Sequence, residues 1–453
     1  MGRPVPTDFR VGAATSAFQI EGSADARGET IWDRFITERG LPDHGLVACD
    51  HVRRVEQDLD VMAELGLDAY RFSVAWARVL PDGRGRPNPR GVGFYDRLVD
   101  GLLERGITPW LTLYHWDLPQ ALEDRGGWRS RDTVGAFADY ADLMTGHLGD
   151  RVKDWTTHNE PWVVAMLGHR EGVFAPGERD MRESLVVGHH LLVSHGEAAQ
   201  VIRTNVDDAR VAIALDCRPA RPETDREQDV LATRHFDGFR NRWFLDPLFG
   251  RGYPADVAED FRRRGLLWSD DDGTVRDGDL ERIAQPLDVL GINYYTGTMI
   301  RAGDGEDERP AAAPSREPAP GHTEMGWRIE PDTLRDFLVR VSEEYRPASI
   351  AITETGASFS DGPGPDGRVR DDRRIRFLHD HIAAALDARE AGAPVEAVFV
   401  WSLLDNLEWA SGFAQRFGIV WVDHGTQERI IKDSGRWLAE LTAARMLPEP
   451  PGR

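Results

Sequence analysis

Eight short runs of β-branched and other apolar residues recur along the chain, and a longer segment with helical periodicity follows each run. In the first such segment Val52, Val55, Leu59 and Met62 lie three or four residues apart, which places one apolar stripe along a helix. Similar stripes cover residues 92–105, 134–148, 183–203, 333–344 and 373–388. The predicted strands cover residues 11–17, 69–74, 108–114, 154–159, 211–215, 288–293, 349–354 and 395–401. Eight strands that alternate with helices are typical of a (β/α)8 barrel.

The main alternative to a barrel is an open, doubly wound sheet. Such a sheet often carries G-x-G-x-x-G after its first strand, and the first predicted strand lacks this pattern. Polar and aromatic residues instead follow nearly every strand, as at a barrel mouth. We therefore predict one α/β domain over residues 1–453, a TIM barrel with extended loops at the C-terminal face of the strands. Residues 301–323, rich in Pro and charge, predict a flexible loop near the site entrance, with a plain surface insertion as the alternative.

Two of the predicted strands run into a glutamate and then a turn. Glu160 follows Trp-Thr-Thr-His-Asn and precedes Pro161, while Glu354 follows Ile-Ala-Ile-Thr and precedes Thr355 and Gly356. Because proline disfavours the right-handed helical region for the residue before it, we expect Glu160 to be the last residue of its strand. Two carboxylates at one barrel mouth indicate acid–base or nucleophilic chemistry on a single substrate.

Amide, aromatic and hydroxyl-bearing side chains dominate the remaining strand ends. An arginine inside an apolar strand needs an acid or a carbonyl partner, so Arg71 is interpreted as the support of a carboxylate. His115 lacks a second ligand at fixed spacing, which favours a hydroxyl-binding or core histidine over a metal ligand. The other side chains of this kind are Gln19, Trp116, Asn293, Tyr295, Trp401, Glu408 and Trp409. Such a lining suits a neutral polyhydroxylated ligand, because amides bond hydroxyl pairs and flat rings cover an apolar face.

Composition narrows the possible partners. The formal net charge of −22 disfavours nucleic-acid binding, which needs a basic face, and also works against anionic substrates. No apolar run approaches the roughly 18 residues of a membrane span.

The cysteines and a group of histidines are interpreted as structural. Cys49 and Cys217 lack metal-binding spacing and are predicted to be buried thiols, and His189, His190 and His195 are interpreted as structural. We predict a cytoplasmic protein that acts on a small molecule without cofactor or metal. The sequence gives no indication of the oligomeric state.

Three motifs stand at the first, fourth and seventh predicted strands. Residues 9–22 read Phe-Arg-Val-Gly-Ala-Ala-Thr-Ser-Ala-Phe-Gln-Ile-Glu-Gly, residues 157–161 read Thr-His-Asn-Glu-Pro, and residues 352–356 read Ile-Thr-Glu-Thr-Gly. They resemble the N-terminal signature, the acid/base motif and the nucleophile motif of glycoside hydrolase family 1, the β-glucosidase family. The similarity extends over essentially the whole chain. The resemblance implies a retaining β-glycosidase on a (β/α)8 barrel, with its carboxylates on strands four and seven.

The resemblance also implies roles for individual residues. Glu354 would be the nucleophile, and Glu160 would be the general acid and then the general base. Tyr295 would bond the nucleophile, Arg71 would keep it ionised, and Trp327 would stack on the leaving group. The residues expected to hold the substrate's sugar are Gln19, His115, Trp116, Asn159, Asn293, Tyr295, Trp401, Glu408 and Trp409.

Three residues depart from the family pattern. Thr355 replaces the Asn that usually follows the nucleophile, and a threonine would strain a turn that required a positive φ. His158 stands where an apolar residue is common, and its alternation with Asn159 predicts that it packs outward. Leu407 replaces a Phe in the motif D-N-F-E-W. None of the three removes a reacting group.

The expected reaction is hydrolysis of terminal non-reducing β-D-glucosyl residues from β-glucosides or cello-oligosaccharides, by double displacement through a covalent glycosyl-enzyme. The two carboxyl groups should lie about 5 to 5.5 Å apart. Arg71 should lower the pKa of Glu354, whose charge should raise the pKa of Glu160. The alternatives are a β-galactosidase, a β-fucosidase or a 6-phospho-β-glycosidase of the same family, or a sugar-binding barrel without catalysis. Glu408, and the lack of a lysine in residues 411–415, disfavour a phosphorylated sugar.

Overall fold

The computed structural model describes residues 2–268, 273–303 and 321–452 of the chain. Parallel strands close into a barrel, whose members are β1 Arg10–Ala14, β2 Ala69–Ser73, β3 Thr108–Tyr114, β4 Asp154–Asn159, β5 Arg210–Asp216, β6 Val289–Asn293, β7 Ile350–Thr355 and β8 Val395–Trp401. Each strand pairs with the next in sequence, and β8 pairs with β1 to complete the circle. The predicted (β/α)8 barrel is confirmed.

The first strand is shorter than predicted. β1 ends at Ala14, and Ala17–Ile20 forms a short helix instead of continuing the strand to residue 17. The Ser16 hydroxyl donates to Oε1 of Gln19 at 2.6 Å, and the backbone N–H of Ala17 donates to the Ser73 hydroxyl at 2.8 Å. The Ser73 side chain therefore satisfies a backbone N–H that a longer strand would have paired with its neighbour.

At least one helix follows each barrel strand. The principal helices are α1 His51–Glu64, α2 Pro89–Glu104, α3 Arg131–Leu148, α4 Met181–Asn205, α5 Glu227–Asp237, α6 Pro331–Tyr345, α7 Asp372–Glu390 and α8 Asp433–Ala444. Val55, Leu59 and Met62 of the predicted apolar stripe are buried, and they join the large core that the helices and the strands share. The period of the apolar residues thus predicts which face of α1 meets the barrel.

Shorter elements decorate the barrel. The additional strands are Arg3–Pro4, Ala220–Pro222, Thr298–Ile300, Val420–Val422, Arg429–Ile431 and Met446–Leu447. The additional helices are Ala17–Ile20, Ala24–Ala26, Ile31–Arg39, Trp76–Val79, Gln120–Glu123, Gly127–Arg129, Pro161–Val163, Trp243–Leu248, Ala255–Arg263, Asp279–Ile283 and Trp409–Ala414, with π-helices at Val164–Arg170 and Gly238–Arg242. Of the predicted loop 301–323, residues 304–320 lie outside the described residues. None of the helices in the described ranges has the length and apolar character that a bilayer crossing needs.

Charged side chains close the N-terminal end of the barrel. Arg10 binds Asp154 at 2.9 Å and Glu396 at 2.7 Å, and Arg210 binds the same two carboxylates at 2.8 and 2.5 Å. These residues come from β1, β4, β5 and β8 and form a closed circle of alternating charge, which we call the ionic ring. The Arg10 guanidinium also lies 4.8 Å from the ring centroid of Trp110, which fills the barrel interior. The opposite, C-terminal end of the strands is left for a site.

Candidate active site

The two glutamates lie at the C-terminal ends of β4 and β7. Glu354 is the penultimate residue of β7, within the strand. The predicted strand 154–159 matches β4, but the prediction that Glu160 itself ends the strand is wrong, because Glu160 has left-handed backbone angles, φ 50° and ψ 63°. Pro161 begins the short helix that follows, and it keeps Glu160 out of the right-handed helical region. The chain therefore turns sharply at Glu160, which holds the carboxyl group at the barrel mouth.

Glu354 is held by two donors, one from β2 across the barrel and one from the segment that follows β6. Nη1 of Arg71, in β2, donates to Oε1 of Glu354 at 2.5 Å, and the Tyr295 hydroxyl donates to Oε2 at 2.6 Å. Arg71 is fully buried, so its charge acts on Glu354 with little screening by solvent. The predicted supports of this carboxylate, Arg71 and Tyr295, are therefore both in contact with it.

Two asparagines connect the glutamates behind the cavity surface. Nη2 of Arg71 donates to Oδ1 of Asn159 at 2.7 Å, and Nδ2 of Asn293 donates to Oδ1 of Asn159 at 3.0 Å and to Oε1 of Glu160 at 2.5 Å. Nδ2 of Asn159 lies 3.0 Å from Nε2 of His115. Burial and the charge of Arg71 hold the pKa of His115 well below its usual range, so the neutral ring accepts this hydrogen bond.

The pKa values of the two glutamates are raised to different degrees. Burial raises the pKa of Glu354, while the charge of Arg71 and the hydrogen bond from Tyr295 oppose that rise. The pKa of Glu160 is raised well above its ordinary value, first by burial and then by the negative charges of Asp216 and Glu354. Arg71 thus acts in the predicted direction, but burial outweighs it. The higher pKa of Glu160 suits a proton donor, and Glu354 is the group that ionises first.

An open cavity of about 350 Å³ lies over the glutamates, a size suited to a small ligand. Predicted site residues that line it are His115, Trp116, Glu160, Tyr295, Trp327, Glu354, Trp401, Glu408 and Trp409. The ring centroid of Trp409 lies 4.5 Å from that of Trp116, and Trp327 lies 5.3 Å from Tyr295. Aromatic side chains thus form much of the wall, as the sequence predicted for a ring-shaped ligand.

Four predicted site residues are buried behind this wall rather than in it. They are Gln19, Arg71, Asn159 and Asn293, each with no exposed surface. Nε2 of Gln19 donates to Oδ1 of Asn406 at 3.1 Å and approaches Oε2 of Glu408 at 3.5 Å. Burial and the charge of Glu354 raise the pKa of Glu408 to about 8. In the structure, the predicted sugar-binding amide of Gln19 therefore bonds Asn406 and Leu407 more closely than the carboxyl group of Glu408.

Histidines outside the cavity have structural contacts. His158 points away from the barrel interior, where Nε2 lies 2.8 Å from the Ser194 hydroxyl of α4 and the ring stacks on Phe137 of α3. His195 bonds Thr157 at 2.7 Å, and His189 and His190 likewise bond buried partners. The outward packing of His158 and the structural interpretation of the other three are confirmed. Within residues 2–268, 273–303 and 321–452, no cluster of side chains has the composition of a metal site.

Thr355, which replaces the usual Asn, does not strain the backbone. It is the last residue of β7 and is fully buried in extended conformation. The expected positive φ at this position does not occur, because the strand continues one residue past Glu354 before the chain turns. Leu407 is also fully buried, and its carbonyl oxygen accepts a hydrogen bond from Gln19 at 2.8 Å. Neither departure disturbs the geometry of the glutamates.

Several wall residues were missed by reasoning from the sequence. Asp216 ends β5, Arg240 lies in the π-helix Gly238–Arg242, and Trp162 belongs to the short helix after Glu160. All three line the cavity, together with Met325 and Phe417 among others. Only Asp216 carried a usable signal, because it directly follows the predicted strand 211–215. Strand ends supplied most of the other site residues.

Known proteins resemble this chain over nearly all of its length. A model of glycosyl hydrolase family 1 matches residues 1–446. Beta-glucosidase A of Thermotoga maritima is 43% identical over 442 residues, which cover 96% of this chain and 97% of that protein. The 1,4-beta-D-glucan glucohydrolase of Thermotoga neapolitana is 42% identical over 442 residues, with 96% and 97% covered. The solved structure of beta-glucosidase from Thermotoga maritima in complex with deoxynojirimycin superposes with a TM-score of 0.92 at 42% identity, covering 98% of this chain and 100% of that one. This chain belongs to glycosyl hydrolase family 1.

Proposed function

We propose that this glycosyl hydrolase is a retaining β-glucosidase, which removes terminal non-reducing β-D-glucosyl residues from β-glucosides or cello-oligosaccharides. The observation that carries the proposal is the pair of glutamates in one cavity, of which Glu354 is bound by Arg71 and Tyr295 while Glu160 has the higher pKa. The relatives named beta-glucosidase support glucose as the sugar that is released. No cofactor takes part in the proposed reaction.

In the first step Glu354 attacks the anomeric carbon of the bound glucoside. The bond between that carbon and the aglycone oxygen breaks, and Glu160 transfers its proton to the departing oxygen. The Arg71 guanidinium stabilises the ionised form of Glu354 that this attack requires. The product of the step is a glycosyl ester on Glu354, and the free aglycone leaves the cavity.

In the second step water replaces Glu354 at the same carbon. Once Glu354 is esterified its negative charge is gone, so one of the causes that raise the pKa of Glu160 disappears. Glu160, deprotonated in the first step, then takes a proton from the attacking water. The two inversions give net retention of the β configuration.

The sugar-binding roles follow from the family resemblance, and they are supported where the side chain lines the cavity. Asn159, adjacent to Glu160 and held by Arg71, would bond the 2-hydroxyl group, a contact that strengthens in the transition state. Trp327 would stack on the leaving group, supported by Tyr295. The remaining contacts to the glucosyl ring are assigned to Gln19, His115, Trp116, Asn293, Tyr295, Trp401, Glu408 and Trp409.

A 6-phospho sugar fits this cavity less well than glucose. With a pKa of about 8, Glu408 is largely protonated at neutral pH, so its charge repels phosphate less than the sequence suggested. The stronger argument is the position of the cations. Arg218 and Arg240 line the cavity after β5, whereas Glu408 follows β8, three strands away around the barrel. Both reacting glutamates are present, which disfavours a sugar-binding barrel without catalysis.

The proposal extends to organisation and location. Residues 1–453 would form one glycosidase domain, which is supported by the family match over residues 1–446. A cytoplasmic location is supported by two free, buried cysteines. Cell fractionation with an antibody against the protein checks the location.

A mechanism-based label tests the central assignment. The enzyme is incubated with 2-deoxy-2-fluoro-β-D-glucosyl fluoride, whose 2-fluoro group slows hydrolysis of the glycosyl ester. Peptide mass spectrometry is expected to find the added 2-fluoroglucosyl group on Glu354, and the corresponding galactosyl fluoride is expected to label more slowly. The Glu354→Gln variant is the control and should stay unlabelled. Label on another residue, or no label on an enzyme that hydrolyses aryl glucosides, would contradict the assignment.

A further inference from the structure

Asp216 stands at the same level of the barrel as Glu160. It is the last residue of β5 and lies opposite Asn293 of β6, whose side chain bonds Glu160. Ala212 belongs to the apolar cluster inside the barrel, so the alternation of β5 turns Asp216 towards the mouth. The backbone N–H of Glu160 donates to the carbonyl oxygen of Ala214 in the same strand at 2.8 Å. Asp216 and Glu160 therefore line one cavity from neighbouring strands.

Arg240 connects Asp216 to the segment that carries Glu160. Nη2 of Arg240 donates a short hydrogen bond to Oδ2 of Asp216, and its guanidinium lies 3.5 Å from the ring centroid of Trp162. Trp162 is two residues past Glu160 and also lines the cavity. The π-helix that contains Arg240 is anchored by Asn241, whose side chain accepts from the backbone N–H of Arg218 at 2.9 Å and donates to its carbonyl oxygen at 3.1 Å. The ion pair thus has a fixed position beside the proposed acid.

Asp216 and Arg240 change the pKa of Glu160 in opposite directions. After burial, the charge of Asp216 is the largest cause of the raised pKa of Glu160, ahead of Glu354, while Arg240 lowers that pKa. Other titratable or charged groups around the cavity are Arg71, His115, Glu171, Arg218, Tyr295 and Glu408. Arg71 contacts Glu354 and Asn159, and His115 is neutral. Besides Glu354, the charges that act on the pKa of Glu160 are those of Asp216 and Arg240.

We propose that Asp216 and Arg240 are positioning residues that set the alkaline limit of activity, by fixing how firmly Glu160 retains its proton. The proposal rests on the proposed role of Glu160 as acid and then base. The charge of Asp216 remains when Glu354 becomes esterified. By itself it would favour the protonated form of Glu160, which cannot act as the base in the second step. Arg240 offsets that charge, and the pair therefore balances the two opposite demands on Glu160.

The test compares pH profiles of kcat/KM for the wild type, Asp216→Asn and Arg240→Gln. The substrate is phenyl β-glucoside, whose poor leaving group needs the proton from Glu160. Activity is lost as pH rises through the pKa of Glu160, because the deprotonated group cannot act as an acid. Removal of the Asp216 charge is expected to move this basic limb to lower pH by on the order of one unit, and removal of the Arg240 charge to move it to higher pH. The acidic limb, which reports ionisation of Glu354, should move less.

Controls separate this effect from a change in fold or in overall charge. Asp336→Asn removes an equal charge from an exposed ion pair with Arg221 and should leave the basic limb unchanged. If a single variant does not fold, the double variant Asp216→Asn/Arg240→Gln is expected to shift the limb to lower pH, by less than Asp216→Asn would. Unshifted basic limbs, or shifts of both single variants in the same direction, would overturn the proposal. A wild-type enzyme that is not labelled on Glu354 would overturn the proposed function instead.

Discussion

At the scale of single residues, Glu160 combines a left-handed backbone with a buried carboxyl group. A residue other than glycine in this conformation carries strain of about 1–3 kcal/mol, which the surrounding structure must hold. The backbone N–H of Glu160 donates to Ala214, and its carbonyl oxygen accepts from Val163 at 2.9 Å. Both hydrogen bonds fix the turn. The direction of the side chain is therefore determined by the backbone on either side as well as by Asn293.

Replacement of Glu160 by alanine tests its role. Without a proton donor, kcat/KM for phenyl β-glucoside should fall by about 10²- to 10⁴-fold, while formation of the glycosyl-enzyme from 2,4-dinitrophenyl β-glucoside should be nearly unaffected. Azide needs no general base, so added azide should restore turnover of the dinitrophenyl substrate. Nuclear magnetic resonance of the product should show β-glucosyl azide, because both displacements still occur.

The matched control is Glu354→Ala with the same substrate and azide. This variant has lost the nucleophile, so azide can attack only once and the expected product is α-glucosyl azide. If azide restores no activity to Glu160→Ala, then Glu160 is not the acid/base group. If both variants give the same anomer, the two glutamates do not have separate roles.

Residue-level prediction from the sequence succeeds where a motif marks a position. Glu160, Glu354 and the support of Glu354 by Arg71 and Tyr295 follow from strand ends and from the family resemblance, and the structure brings these side chains together. Asp216 was not predicted as a site residue, because its effect on the pKa of Glu160 depends on which strands are neighbours in the closed barrel. The dominance of burial over Arg71 in raising the pKa of Glu354 likewise depends on packing that no local pattern records.

At the scale of elements, a buried ion cluster joins the segments after β7 and β8 to the start of α8. Nζ of Lys432, the residue before α8, binds Asp361 at 2.7 Å and Asp405 at 2.9 Å. Nη1 of Arg374 binds Asp361 at 2.6 Å and Asp371 at 2.5 Å. Arg416 completes the cluster with a bond to Asp405 at 2.8 Å, so three cations balance three carboxylates. The segment between Asp405 and Glu408 is thereby fixed beside the sugar-binding wall.

Replacement of Lys432 by methionine should destabilise the protein strongly. Lys432 is fully buried, and its loss leaves the cluster with an excess negative charge. Breaking a buried pair in this way costs about 3–5 kcal/mol, which urea unfolding followed by tryptophan fluorescence can measure. The second lysine of the chain provides the control. Lys153 is partly buried and donates only to the carbonyl oxygen of Gly149, so Lys153→Met should cost much less. Equal losses in the two variants would show that the cluster carries no special stability.

Prediction of elements from the sequence also fails where contacts between distant segments decide the structure. The periods of apolar residues identify the barrel strands and most of the helices, because burial of one face is a local property of each segment. The end of β1 was misplaced because the backbone N–H of Ala17 donates to the Ser73 hydroxyl of β2, while the Ser16 side chain bonds Gln19. The ion cluster around Lys432 joins residues 361 to 432, and nothing in the local sequence indicates such pairing.

At the scale of the whole molecule, the ionic ring ties opposite sides of the barrel together. Arg10 and Arg210 each bind both Asp154 and Glu396, which come from strands far apart in the sequence. Burial alone would raise the pKa of Glu396, but hydrogen bonds and charge from Arg210 and Arg10 hold that pKa below its usual range. A carboxyl group with a lowered pKa in the folded state stabilises the fold above its unfolded pKa, and that stability is lost as pH falls through the lowered value.

Glu396→Gln should therefore be less stable than the wild type at pH 7. In acid the two proteins should become equally stable. The difference in free energy of unfolding between wild type and variant should be constant above the unfolded glutamate pKa of about 4.3, and should shrink as pH falls below it. Urea unfolding at a series of pH values measures the difference. Glu390→Gln, which removes a carboxylate that is 74% exposed and paired with Arg3, should show a small difference at every pH. A Glu396→Gln difference that stays constant down to pH 3 would contradict the linkage.

The ionic ring and the glutamates lie at opposite ends of the same strands, and this separation bears on how such a protein changes over generations. A substitution in the loops around the cavity can alter which aglycone is accepted without touching a bond of the ring that closes the barrel. Selection on substrate preference and selection on stability therefore act on different positions of the chain. Related proteins can differ in substrate preference while they keep the same closed barrel.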